Sequence, residues 1–328
     1  MGEPVWKNSA WVGLFCDPFV DGTQLEGGKV GTAVLVLSYT LRRLLSDEDA
    51  LRANLPFLPV EQLRAVKATL DACLEVLSAT EEVEEVEAFE QLMKDWLQRV
   101  ANIPPGGVLL APGGWKGLTS VGSVMYVVER GSGPDEGSYS FTVANAGEGL
   151  QYHPASAHSP PKMKYKTCIK VPAIPKERIE QPALWALLFS LWLKESEYHR
   201  VEVLYDVILP WLGGGLLAEA LVETADDAAS NEWRSPQRSG TSGFRCVWEA
   251  LRYLLKRECG LTTPQLKQVT LALRRELLSR AHDDLEVMHD PKREHEVIAP
   301  EVPPAQVRLC QEPVHLRRCS VANVCLHG

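Results

Sequence analysis

Hydrophobic residues in the first third of the chain recur at alternating spacings of three and four. Between residues 59 and 77 these positions are Leu63, Val66, Leu70, Cys73 and Leu77. Between residues 81 and 100 they are Val83, Val86, Phe89, Leu92, Trp96 and Val100. This spacing puts one apolar stripe on one face of a helix, so it predicts two amphipathic helices. We expect a mostly helical N-terminal region over residues 1–104.

The hydrophobic period changes after the turn-forming sequence PPGG at residues 104–107. Segments 122–130 and 137–146 have the short, β-branched and aromatic composition of strands, and the linking GSGPDEG predicts a β-hairpin. A third strand is expected over residues 164–174, and helical patterns return over 183–194, 201–212, 244–257 and 264–282. The sequence therefore predicts an α+β fold. Residues 105–290 would form a domain with a hairpin-centred antiparallel sheet and flanking helices, and residues 291–328 a poorly ordered tail.

The composition and net charge of the chain argue against several classes of protein function. The 328-residue chain has a formal net charge of −9, which argues against a general nucleic-acid-binding protein because such proteins need a basic footprint. It has no run of about 20 apolar residues of the kind that crosses a membrane, and no basic and apolar leader of the secretory kind. Its eight cysteines lack paired spacing and indicate reduced thiols. We expect a cytoplasmic protein that binds neither nucleic acid nor membrane.

No cofactor or metal is expected. The glycine-rich GGVLLAPGG of residues 106–114 lacks the Gly-Lys-Ser/Thr ending of a phosphate-binding loop. Cysteine and histidine residues in the last 20 positions are of the type that binds zinc, but their spacing matches no zinc knuckle.

The sequence SGTSGFRCVWEALRYLL, residues 239–255, is a turn that runs into an amphipathic helix. Its predicted core stripe consists of Phe244, Val247, Trp248, Leu251 and Leu255. A helix N-terminus carries free N–H groups and a positive dipole end. These groups would lower the pKa of a cysteine at position 242, but the residue there is a serine. A serine gains little there without an adjacent base. The alternative is that Thr241 or Ser242 only caps the helix.

This sequence resembles the cysteine box of papain-fold ubiquitin-specific proteases, with Ser242 at the position of the nucleophilic cysteine. Upstream, GGWKGLTSVGSVMYVVERGSG and YSFTVANAGEG are similar to the histidine box of the same family. In that resemblance Ser123 stands at the position of the base and Asn145 at that of its orienting residue. The two boxes occur in reversed order along the chain.

The resemblance implies a divergent papain-like domain whose chemistry has been lost, because a Ser–Ser pair contains no base. It further implies a binding module for ubiquitin or a ubiquitin-like protein, in a cleft between the strand of Ser123 and the helix of Ser242.

Two other hypotheses stay open on the sequence alone. In the first, the protein is an active thiol hydrolase in which Cys246, one helical turn after Ser242, is the nucleophile and His153 or His158 is the base. In the second, the protein is a purely structural interaction module whose helix cap resembles a cysteine box by chance.

Overall fold

A computed structural model describes residues 30–155, 163–215, 233–237 and 242–289, with side chains through residue 280. The first helices are α1 (Val30–Ser46), α2 (Glu48–Asn54), α3 (Val60–Glu81) and α4 (Val86–Ala101). The strands are β1 (Val108–Lys116), β2 (Val121–Arg130), β3 (Ser138–Ala144), β4 (Tyr165–Lys166), β5 (Cys168–Pro175) and β6 (Trp233–Arg234). Later helices are α5 (Lys176–Ile179), α6 (Pro182–Leu193), α7 (Leu209–Gly213), α8 (Ser242–Cys259) and α9 (Thr263–His289), and a π-helical segment, Val203–Ile208, leads into α7.

The main sheet has four antiparallel strands in the order β1-β2-β3-β5. The predicted hairpin is confirmed: β2 and β3 pair from Met125↔Ala144 to Arg130↔Tyr139. The third predicted strand divides into β4, which pairs with β6, and β5, which pairs with β3. Helices cover both sides of this sheet, so the predicted α+β fold is confirmed.

Strand β1 was not predicted, because Pro112, Gly113 and Gly114 interrupt it. Proline is tolerated here because β1 is an edge strand, where a missing N–H costs no ladder bond. Gly113 is required by close packing, since a β-carbon at this position would overlap the Tyr126 ring. Gly113, one of the glycines that superficially suggest a phosphate loop, therefore makes room for an aromatic side chain.

The two faces of the sheet contact different helices. One face, here called the α8 face, carries Leu110, Met125 and Val127 and packs against α1, α3, α8 and α9. The opposite face, here called the α6 face, carries Tyr126, Phe141 and Val143 and packs against α4, α6, α7 and the π-helical segment. Side chains alternate between these faces along each strand.

Helices from the first hundred residues lie in both layers. The stripe of α3 predicted from the sequence, from Leu63 to Leu77, is buried in the core of the α8 face. Trp96 of α4 packs on the α6 face, with its ring centroid 4.8 Å from that of Trp185. The predicted domain boundary near residue 104 therefore lies in a turn between α4 and β1, and the helices before this turn share hydrophobic cores with the strands after it. The predicted tail, residues 291–328, lies outside the described residues.

Across the part of the chain that the structure describes, no helix combines the length and apolar character needed to cross a bilayer.

Candidate functional site

Ser242 is the first residue of α8, and this helix lies against β2 on the α8 face. Two hydrogen bonds establish its direction. The hydroxyl of Tyr253 in α8 donates to Glu129 near the end of β2 (3.1 Å). Glu249, one turn before Tyr253 in α8, accepts a hydrogen bond from Thr167, which lies just before β5 (2.9 Å). Cys168, which follows Thr167, pairs with Ala144 at the end of β3. The N-terminus of α8 is therefore directed toward the end of the sheet where β2 begins.

Ser123 lies near the start of β2 and pairs with Gly114. It precedes Met125 and Val127 in the alternation, so its side chain is on the α8 face. Ser123 and Ser242 are both partly exposed. The fold thus places them on the same side of the sheet and directs Ser242 toward the strand end that carries Ser123. Among the described residues, neither hydroxyl has a hydrogen bond to a histidine or a carboxylate.

Asn145 and His153 belong to a buried polar network centred on Tyr205. Asn145 Nδ2 donates to the Tyr205 hydroxyl (2.9 Å) and to the Glu148 carbonyl (2.6 Å), and its Oδ1 accepts from the Gly147 amide (2.8 Å). His153 Nε2 lies 2.9 Å from the same hydroxyl, and its Nδ1 lies 2.6 Å from the Lys166 carbonyl oxygen.

The network determines the protonation of His153. A carbonyl oxygen only accepts, so Nδ1 carries the proton and donates to Lys166. Nε2 then accepts from the Tyr205 hydroxyl, which in turn accepts from Asn145. Burial lowers the pKa of His153 to about 4, although the hydrogen bond to the Lys166 carbonyl oxygen acts in the opposite direction and raises this pKa. His153 is therefore neutral at physiological pH.

This network lies on the α6 side of the sheet, because Tyr205 packs in the core of that face. Both polar atoms of the Asn145 side-chain amide are hydrogen-bonded, Nδ2 to Tyr205 and Glu148 and Oδ1 to Gly147. The predicted role of Asn145 as the orienting partner of residue 123 is thus not supported, since Ser123 is on the opposite face. No residue pattern in the sequence indicated Tyr205, which joins Asn145 to His153 from a distant helical segment.

Cys246 is fully buried in the core of the α8 face. Its thiol lies 3.6 Å from the Gly243 carbonyl oxygen, and burial raises its pKa far above the ordinary value. Such a thiol is neither accessible nor ionised at neutral pH. The predicted pairing with His153 does not fit this arrangement, because the sheet separates the two side chains. His158, the other proposed base, lies outside the described residues.

Sequence reasoning also missed a buried charged cluster at Glu129. Its carboxylate accepts from Lys170 Nζ (2.5 Å), Ser140 Oγ (2.7 Å) and the Tyr253 hydroxyl (3.1 Å), and it pairs with Arg257. Burial alone would raise the pKa of Glu129, but Lys170, Ser140 and Arg257 hold it below its usual value. The alternation along β2 could have indicated this cluster, because Glu129 follows Met125 and Val127 at a spacing of two residues and therefore lies on the same buried face.

A scan of the chain against protein-family models finds no match, and a search of curated proteins finds none either.

Proposed function

We propose that this protein is a non-catalytic binding module of papain-like architecture that acts in the cytoplasm and recognises ubiquitin or a ubiquitin-like protein. The observation that carries the proposal is that Ser123 and Ser242, the two positions of the family resemblance, share one side of the sheet, and that within the described ranges no histidine or carboxylate is hydrogen-bonded to either hydroxyl.

Loss of chemistry is the first part of the proposal. A serine hydroxyl needs an adjacent general base to become a nucleophile. Of the two candidate histidines, His153 lies among the described residues, and it is buried, neutral and bonded to Tyr205 on the other face. Cys246 offers no replacement, because its thiol is sealed in the core.

Exposed apolar side chains at the same end of the sheet support the binding part. Leu118 and Val121, in and after the β1–β2 turn, are 65% and 68% exposed. Tyr198 is also exposed, and its loop reaches this turn through the Ser196 amide, which donates to the Lys116 carbonyl (3.0 Å). Apolar side chains gathered on one surface are typical of a protein contact site. We assign the partner surface to Leu118, Val121 and Tyr198, beside Ser123.

The test is a titration of the full chain with ubiquitin, followed by NMR or calorimetry, for the unmodified protein and for Val121→Asp. We expect saturable binding that Val121→Asp weakens about tenfold or more, as expected when a contact residue is replaced by a buried charge. Leu271→Asp is the matched control, because Leu271 is 62% exposed and lies on α9, which packs against other helices in the layer of the α8 face. Absence of binding to ubiquitin, or equal weakening by both variants, would contradict the proposal.

A further inference from the structure

The most exposed large apolar side chains that the structure describes are Val86, Leu118, Val121 and Tyr198. Their exposed fractions range from 65% to 73%. Three of them form the partner surface, and the fourth, Val86, begins α4. Apolar side chains that share one surface are typical of a contact site, so the position of Val86 relative to the partner surface matters.

Val86 lies at the same end of the molecule as the partner surface. Phe89 follows Val86 by three residues, so both side chains lie on one face of α4. Lys194, directly after α6, has its Nζ 5.6 Å from the centroid of the Phe89 ring. Two residues later, the Ser196 amide donates to the Lys116 carbonyl at the start of the β1–β2 turn (3.0 Å). We call Val86 and the partner surface together the apolar end.

Helix α1 begins at this end of the molecule. Glu48, two residues after α1, pairs with Arg64 near the start of α3. Ser38, in the middle of α1, donates to Asp71 in the middle of α3. The two helices are therefore antiparallel, and Val30, the first residue of α1, lies toward the end of α3. Only a short connection separates the end of α3 from the start of α4.

The chain that precedes α1 has the composition of a segment that binds an apolar surface. Residues 1–29 lie outside the described residues. Their sequence places four aromatic residues within fourteen positions, namely Trp6, Trp11, Phe15 and Phe19. Large aromatic side chains contribute much of the binding energy at protein contacts. We call residues 6–19 the aromatic segment.

The connection between the aromatic segment and α1 is long enough for this contact. It includes the polar sequence DGTQLEGGK, residues 21–29, which contains three glycines. Nine extended residues span up to about 30 Å, which is about the diameter of a small domain. The aromatic segment can therefore reach the apolar end from Val30, because both lie at the same end of the molecule.

We propose that the aromatic segment binds to the apolar end of its own chain and occupies the partner surface. A short connection gives the segment an effective concentration on the order of millimolar, so its own end of the molecule is favoured over a second copy of the chain. A partner must displace the segment before it can bind, so the contact is autoinhibitory. This regulatory part rests on the proposed recognition of ubiquitin, whereas the intrachain contact does not.

The test uses Cys16, which lies within the aromatic segment. The full chain is treated with limiting iodoacetamide without ubiquitin, and modification of Cys16 is followed by mass spectrometry. We expect Val121→Asp to raise the rate of Cys16 modification about tenfold or more, because a charge at the contact releases the segment. Cys73 is fully buried, so it should stay unmodified in every variant that keeps the fold.

Leu271→Asp is the matched control, because it introduces the same charge at an exposed apolar position. Glu276, in the same helix as Leu271, pairs with Arg43 near the end of α1 (2.6 Å), so Leu271 lies away from the apolar end. We expect the rate of Cys16 modification in this variant to equal that in the unmodified protein. Equal rates in the unmodified and Val121→Asp proteins would overturn the proposal. So would a rate in the unmodified protein equal to that of a free peptide of residues 6–19.

Adding ubiquitin separates the intrachain contact from the proposed function. Faster modification of Cys16 in the presence of ubiquitin supports competition for one surface. If ubiquitin leaves the rate unchanged while Val121→Asp raises it, the intrachain contact is supported and the recognition of ubiquitin at this surface is contradicted.

Discussion

The two faces of the central sheet handle buried polar groups in different ways. On the α8 face, the carboxylates of Glu129 and Glu249 lie against arginine and lysine side chains, so charge is opposed by charge. On the α6 face, Asn145, Tyr205 and His153 form a chain of neutral hydrogen bonds. Burying an ion without a partner is costly, so a group either finds an opposite charge or stays neutral.

This difference also separates residues that the sequence suggested as one site. Ser123, Ser242 and Cys246 belong to the α8 face, whereas Asn145 and His153 belong to the α6 face. Within the α8 face the two carboxylates differ again. Glu129 is held by Lys170, Arg257 and two hydroxyls, whereas Glu249 lies against Arg252 and Arg234 and accepts a hydrogen bond from Thr167.

The largest expected effect is on stability, from loss of the Glu129 carboxylate. Glu129→Ala leaves Lys170 and Arg257 without their buried partner, and it removes the acceptor of Ser140 and Tyr253. We expect the free energy of unfolding to fall by about 3 kcal/mol, measured by urea denaturation. The control is Glu136→Ala, whose exposed ion pair with Arg130 is worth less than about 1 kcal/mol. Equal effects of the two substitutions would show that Glu129 is not the centre of a buried cluster.

The neutral network of the α6 face predicts a pH dependence centred on His153. Its pKa is about 4 in the folded state and about 6.5 in the unfolded chain. Between these values the unfolded state binds a proton that the folded state does not, so stability falls as pH decreases from about 6.5 to about 4. The loss is expected to approach about 3 kcal/mol. His153→Gln, which does not titrate, should flatten this part of the stability–pH curve.

Glu129 acts at lower pH, which separates the two faces experimentally. Its pKa is lowered in the folded state, so the stability it contributes is present above the unfolded pKa of about 4.3 and is lost as pH falls through its folded pKa. The His153→Gln variant should therefore keep the loss of stability below about pH 4. An unchanged slope between pH 6.5 and 4 in this variant would show that His153 is not kept neutral by burial.

The smallest expected effect concerns thiol reactivity on α8. In Ser242→Cys, we expect iodoacetamide to modify the introduced thiol well before Cys246, because the helix N-terminus favours a thiolate and Cys246 is buried. Adding Ser123→His should raise the rate about tenfold further if an imidazole at 123 reaches residue 242. Rapid labelling of Cys246 in the unmodified protein would instead support the thiol-hydrolase hypothesis, and no gain from Ser123→His would contradict the family resemblance.

Much of the fold could be predicted because local periodicity records which side of an element is buried. The stripes of α3 and α8 and the β2–β3 hairpin all followed from spacing alone. Strand β1 was missed because its Pro112 and glycines suit a loop, and only pairing along an edge and packing on Tyr126 make it a strand. Helix α8 also buries Cys246, Glu249 and Arg252, outside its predicted apolar stripe, because it is enclosed by the sheet and other helices.

By itself, the sequence determined the helices, the hairpin, the α+β class and the absence of a histidine or cysteine at Ser123 and Ser242. Tertiary structure alone decided which candidate residues face one another. Side chains alternate across a sheet, so residues such as Ser123 and Asn145, near one another at the ends of paired strands, come to lie on opposite faces. It likewise decided that His153 meets Tyr205 rather than Cys246, and that Arg234 of β6 meets Glu249 of α8. These contacts join segments that are distant in the sequence, so the local periodicity of hydrophobic residues does not predict them.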